Sequence, residues 1–60
     1  MKVNAIVKLE RDDEVLIVDA WGEFYQGEME DWDIDLPKDF KLTQSECDYV
    51  VQKLYDEERS

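Results

Sequence analysis

Sixty residues allow a single domain, and seventeen acidic against seven basic side chains, a net charge of −10, set the chain against direct binding to nucleic acid or to anionic membranes. A chain this short buries only about 60% of the surface it exposes when unfolded, so a marginal core, helped by a partner or a second copy, is expected. The apolar fraction of 43% is ordinary for a folded protein and argues against disorder.

Val3, Ala5, Val7 and Leu9 alternate with Asn4, Ile6, Lys8 and Glu10, the period of two that predicts a half-buried strand from Val3 to Leu9. The polar run Glu10 to Glu14 separates it from Val15 to Trp21, rich in β-branched residues, and the two segments predict a hairpin. Further on, Phe24 and Tyr25 suit a strand, Gly27 marks a turn or bulge, and Asp31-Trp32-Asp33-Ile34-Asp35-Leu36 alternates. A third strand near 31–36 follows, with a short strand before it as a fourth.

Thr43-Gln44-Ser45-Glu46 has the form of a capping box, and Cys47, Val50, Val51, Leu54 and Tyr55 follow at helical spacing as one apolar stripe. The helix is expected to reach about Glu57, its last turn frayed because Asp56, Glu57 and Glu58 oppose the helix dipole. The expected fold class is α+β: a three- or four-stranded antiparallel sheet with one C-terminal helix packed on one face, residues 1–60 forming a single β-β-β-α domain.

One helix cannot cover both sides of such a sheet. If it covers Val3, Ala5, Val7, Leu9, Leu16, Val18 and Ala20, then Ile6, Val15, Ile17 and Trp21 stand on the opposite face. Either that apolar face is an interface, for a homodimer or for a hydrophobic anchor of a partner, or residues 22–36 fold back over it.

The charge is localised. Between Glu10 and Asp35 there are eleven acids and one base, Arg11, while the remaining residues sum to zero. On an alternating strand Asp31, Asp33 and Asp35 project from one face about 6.6 Å apart, with Trp32, Ile34 and Leu36 on the other. That spacing approaches the spacing of phosphates along a nucleic-acid strand, so the row is suited to the basic groove of a nucleic-acid-binding protein. The alternative is a solvated sheet edge kept soluble by charge. Of the neighbouring aromatics, Trp32 is expected in the core, Trp21 and Tyr25 fit either core or contact surface, and Tyr49 lies off the helix stripe.

The chain has no histidine, which removes the commonest general base and the usual partner of a nucleophile. Cys47, on the apolar helix stripe, is expected buried and inert. A calcium loop begun at Asp31 would place Leu36 where glycine is needed and Leu42 where glutamate is needed. No catalysis, cofactor or specific metal site is therefore expected. A lone cysteine, the lack of a long apolar run, and an N-terminal apolar stretch broken by Asn4 and Lys8 lead to a cytoplasmic expectation.

In size, charge and strand-plus-helix make-up the chain resembles small phage-encoded inhibitors of host proteins, among them DNA-mimicking anti-restriction proteins, anti-CRISPR proteins and inhibitors of uracil-DNA glycosylase. The resemblance covers overall character and carries no residue-level motif. It implies a non-enzymatic inhibitor that blocks a host nucleic-acid-handling or defence protein. On that reading Asp12, Asp13, Glu14, Glu28, Glu30, Asp31, Asp33 and Asp35 face a basic surface, and Trp21 and Tyr25 supply the desolvated centre. The alternatives are a small dimeric accessory subunit, and a regulator that binds a host enzyme through an apolar, aromatic surface.

Overall fold

Small and branched apolar residues at the odd positions of the first segment give β1, Lys2–Arg11, one buried face and one exposed face. The computed structural model describes residues 1–60. It continues with β2 (Glu14–Tyr25), β3 (Glu28–Ile34) and α1 (Gln44–Arg59). The strands form one antiparallel sheet in the order β1-β2-β3, with Val7 opposite Val18 and Arg11 opposite Glu14. Asp12 turns the first hairpin in the left-handed region, at φ 50°, which aspartate tolerates better than most residues. Gln26 and Gly27, at φ 53° and 82°, make the second turn, the two-residue geometry whose twist matches that of the flanking strands.

The second and third strands differ from the sequence expectation: the second runs past Gly22, and the third spans Glu28–Ile34 rather than 31–36. Rather than ending the second strand at Trp21, Gly22 is buried within β2, which runs on through Phe24 and Tyr25, so there is no separate fourth strand. A Cβ at Gly22 would come 2.9 Å from Met29 Sδ, 3.2 Å from Phe24 Cε1 and 3.5 Å from Leu54 Cδ1, so the glycine makes room for side chains to close over the strand. The third strand starts at Glu28. Its register with β2 shifts between Phe24↔Met29 and Glu23↔Asp31, leaving Glu30 as an extra residue in a bulge.

The helix begins where the capping box places it: the Glu46 N–H donates to Thr43 Oγ1 at 3.2 Å, and the Thr43 N–H donates to Glu46 Oε1 at 2.8 Å. It runs two residues beyond Glu57, to Arg59. The Arg59 guanidinium bonds Asp56 at 3.0 Å, and both the N–H and the hydroxyl of Ser60 donate to the Glu57 carbonyl. These contacts offset the unfavourable acids of the last turn.

Val3, Ala5, Val7, Leu9, Val18, Ala20 and Phe24 from the sheet meet Val50 and Leu54 of the helix in the core. Leu36, Phe40 and Leu42 of the connection between β3 and α1 pack on the same side, as do Leu16, Met29, Trp32 and Ile34. Nothing folds back across the other face, where Ile6, Val15 and Ile17 stand 62%, 58% and 66% exposed. Trp32 is half-buried against the core, Tyr49 is exposed, and Cys47, expected buried, is only partly covered because it lies in the first helical turn at the rim of the sheet. No helix is long and apolar enough to cross a membrane.

Candidate functional site

The register decides which side chains share the open face. Lys2, Glu23 and Asp31 lie in one cross-strand row and Asn4, Trp21 and Asp33 in the next. In the third row Ile6 is opposite Asp19, whose carbonyl accepts the Asp35 N–H at 2.9 Å, so the ladder continues one residue past the end of β3. Asp19, Glu23, Asp31, Asp33 and Asp35 are all exposed and surround half-buried Trp21 on two adjacent strands. Asn4 is held in place by its Nδ2, which donates to the Ala20 carbonyl at 2.9 Å, and Lys2 Nζ lies 6.0 Å from the centre of the Trp21 ring. An open depression of about 280 Å³ is lined by Lys2, Trp21, Glu23, Asp31, Trp32 and Asp33. Chemically this is a set of hydrogen-bond acceptors around a flat apolar ring, matched to arginine and lysine side chains.

Two of these acids also serve the fold. Asp31 Oδ1 accepts the Trp32 N–H at 2.9 Å, and Asp33 Oδ1 accepts the Ile34 N–H at 2.8 Å. Because Asp31, Asp33 and Asp35 direct their own N–H groups toward β2, the N–H groups of Trp32 and Ile34 point away from the sheet, and the carboxylates close that edge. Each carboxylate keeps its second oxygen for solvent or a partner.

The other anticipated contact residues are not part of this group. Asp12 and Asp13 form the β1–β2 turn, and Glu14 sits beside Arg11 on the helix side, seven residues along β2 from Trp21, about 23 Å at the usual strand rise. Tyr25, 62% exposed, pairs with Glu28 at the β2–β3 turn, and with Glu30 and Met29 it lines a separate hollow four residues, about 13 Å, from Trp21. The structure therefore gathers Trp21, Asp31, Asp33 and Asp35 and adds Asp19, Glu23, Lys2 and Asn4, which the sequence reading omitted. Asp19-Ala20-Trp21-Gly22-Glu23 continues the alternation of Ile17, so Asp19 and Glu23 are readable once Gly22 is accepted inside the strand.

Comparison with family models, curated sequences and solved structures gave no match.

Proposed function

We propose that this protein is a non-enzymatic, phage-type inhibitor that covers the basic, nucleic-acid-binding surface of a host protein with the acidic part of its open sheet face, acting in the host cytoplasm. The observation that supports the reading is the cluster of five carboxylates on two neighbouring strands around Trp21, on a face that no other part of the chain covers. With strands about 4.8 Å apart, Asp31, Asp33 and Asp35 spaced about 6.6 Å along one and Asp19 and Glu23 about 13 Å along the other give two adjoining rows of negative charge, the denser one near the spacing of a nucleic-acid strand. Charge then speeds and orients docking, and the indole supplies contact area that exposed ion pairs alone do not.

The test uses Asp31→Asn, Asp33→Asn and Asp35→Asn together, because asparagine keeps the Oδ1 acceptor that closes the β3 edge while removing the charge. Capture from bacterial lysate should retain a nucleic-acid-binding protein that competing duplex DNA or raised salt releases, and the triple variant should associate with it about ten-fold more slowly. A captured partner indifferent to DNA and to the triple variant rejects the mimic reading.

The exposure of Ile6, Val15 and Ile17 favours a second reading, a regulator or accessory subunit that binds through the apolar half of the same face. Its binding would be insensitive to salt.

A further inference from the structure

The first strand has an unused side. The Phe24 N–H donates to the Met1 carbonyl at 2.7 Å and the Met1 amine donates to the Phe24 carbonyl at 2.8 Å, so this pair exchanges both of its bonds. Antiparallel ladders alternate, so Val3, Ala5, Val7, Leu9 and Arg11 bond to β2, whereas Lys2, Asn4, Ile6, Lys8 and Glu10 turn their N–H and C=O groups outward. The strand contains no proline and no bulge over its ten residues, and the charged side chains that would guard it against other edges, Lys2, Lys8 and Glu10, are of both signs. The other edge, β3, is blocked by the Asp31 and Asp33 carboxylates.

We propose that β1 pairs edge to edge with β1 of a second copy, antiparallel about a two-fold axis at Ile6, to make a continuous six-stranded sheet. The sequence of the edge is self-complementary in this register. Ile6 faces its own counterpart, each Asn4 faces Lys8, and each Lys2 faces Glu10, so an apolar centre is flanked by opposite charges at both ends. All five outward-facing residues fall in hydrogen-bonded pairs. The ion pair already present within the strand, Lys8 Nζ to Glu10 Oε1 at 3.2 Å, leaves the second Glu10 oxygen for the partner's Lys2.

Charge and shape decide for this edge. Pairing through β3 would bring its aspartates together, whereas pairing through β1 puts the two β3 strands on the outer flanks. They are then separated by five strand spacings, about 24 Å. That exceeds the screening length of about 8 Å at physiological salt, so two chains of charge −10 meet along the side where repulsion is least. The helix packs over the inner face of β1 more than of β2, but it takes none of the outward N–H or C=O groups of the β1 edge. Its first turn is tied to Arg11 at the end of β1, while Tyr55, one turn from its other end, donates no bond to β1 but accepts the Met29 N–H and packs edge-on to Phe24 at 5.2 Å. The two helices therefore approach the seam at opposite ends.

This inference does not rest on the proposed function. Sedimentation equilibrium of the full chain should show a dimer, and amide hydrogen exchange at Asn4, Ile6 and Lys8 should slow as protein concentration rises, while Ala5 and Val7 are protected throughout. Lys2→Glu and Glu10→Lys, each alone, put like charges opposite one another and should weaken association at least ten-fold. Mixed in equal amounts they should associate again, because the mixed pair restores both ion pairs at the native total charge. Ile6→Pro, whose missing N–H belongs to the free edge, should abolish the dimer and leave the circular dichroism of the fold intact. A monomer at millimolar concentration overturns the proposal, and so does a dimer that neither the charge exchange nor the exchange pattern at Ile6 tracks.

Discussion

Glu46 joins three parts of the chain through one carboxylate. Oε1 accepts the Thr43 N–H at the helix start and, at 2.6 Å, the Arg11 guanidinium, whose Nε reaches Oε2 at 2.9 Å. Arg11 also donates to the Lys41 carbonyl and stacks on Phe40, its guanidinium carbon 4.1 Å from the ring centre. The hydrogen bond from Arg11, followed by that from the Thr43 backbone, lowers the Glu46 carboxyl from 4.5 to about 2. A carboxyl depressed by folding contributes stability that is fully present above its unfolded value and is lost as the pH falls toward its folded value. Glu46→Gln should therefore be less stable than the native chain at neutral pH, with the difference closing between pH 4.5 and about 2 in urea titrations. An equal difference at pH 7 and pH 2.5 would show that the charge contributes nothing. Thr43→Ala removes the reciprocal cap bond and should cost about 1 kcal/mol, a fall of about 6 °C in melting temperature for a chain of this size.

At the level of elements, the helix, with Leu36, Phe40 and Leu42 of the connection before it, covers the buried side of the sheet. Leu54 is wholly buried and reaches over Gly22, so Leu54→Ala should cost about 2–5 kcal/mol, enough to leave so small a domain largely unfolded at 25 °C by circular dichroism. Tyr49→Ala, on the exposed side of the same helix, should change stability by no more than about 0.5 kcal/mol. These elements were legible wherever a local pattern repeats: Val3 to Leu9, Val15 to Trp21 and the Thr43–Glu46 cap needed only periodicity and cap chemistry. What escaped depended on residues distant in sequence. Gly22 looks like punctuation until Leu54, Met29 and Phe24 are seen closing over it, and the bulge at Glu30 follows from pairing with β2, not from its neighbours. The same error dispersed the expected site, because a β2 ending at Trp21 hides Glu23 and gives no register to place Asp12 to Glu14 at the far end from Asp33. The helix reached Arg59 because Arg59 and Ser60 bond back to the last turn, a contact that charge counting alone does not weigh.

For the whole molecule, the question is whether its charge helps or opposes folding. Eleven of the seventeen acids lie between Glu10 and Asp35, in a body of 38 × 21 × 17 Å. At 0.01 M salt the screening length, about 30 Å, is comparable to the long axis, and all of these charges repel one another. At 0.15 M it is about 8 Å, and only close neighbours such as Glu23 with Asp31 and Asp19 with Asp35 still do. Raising salt from 0.01 to 0.15 M should therefore raise the melting temperature by about 5 °C, about 1 kcal/mol, with little further gain beyond. Asp31→Asn with Asp33→Asn retains the acceptors that close the β3 edge, so this pair should stabilise the chain at low salt and reduce its salt response. Stability gained together with lost partner binding would mean that the acids are kept at a cost to the fold, as expected of a binding surface. A double variant no more stable than the native chain would mean that Asp31 and Asp33 repel too weakly to matter, and that closing the edge is reason enough for them to be there.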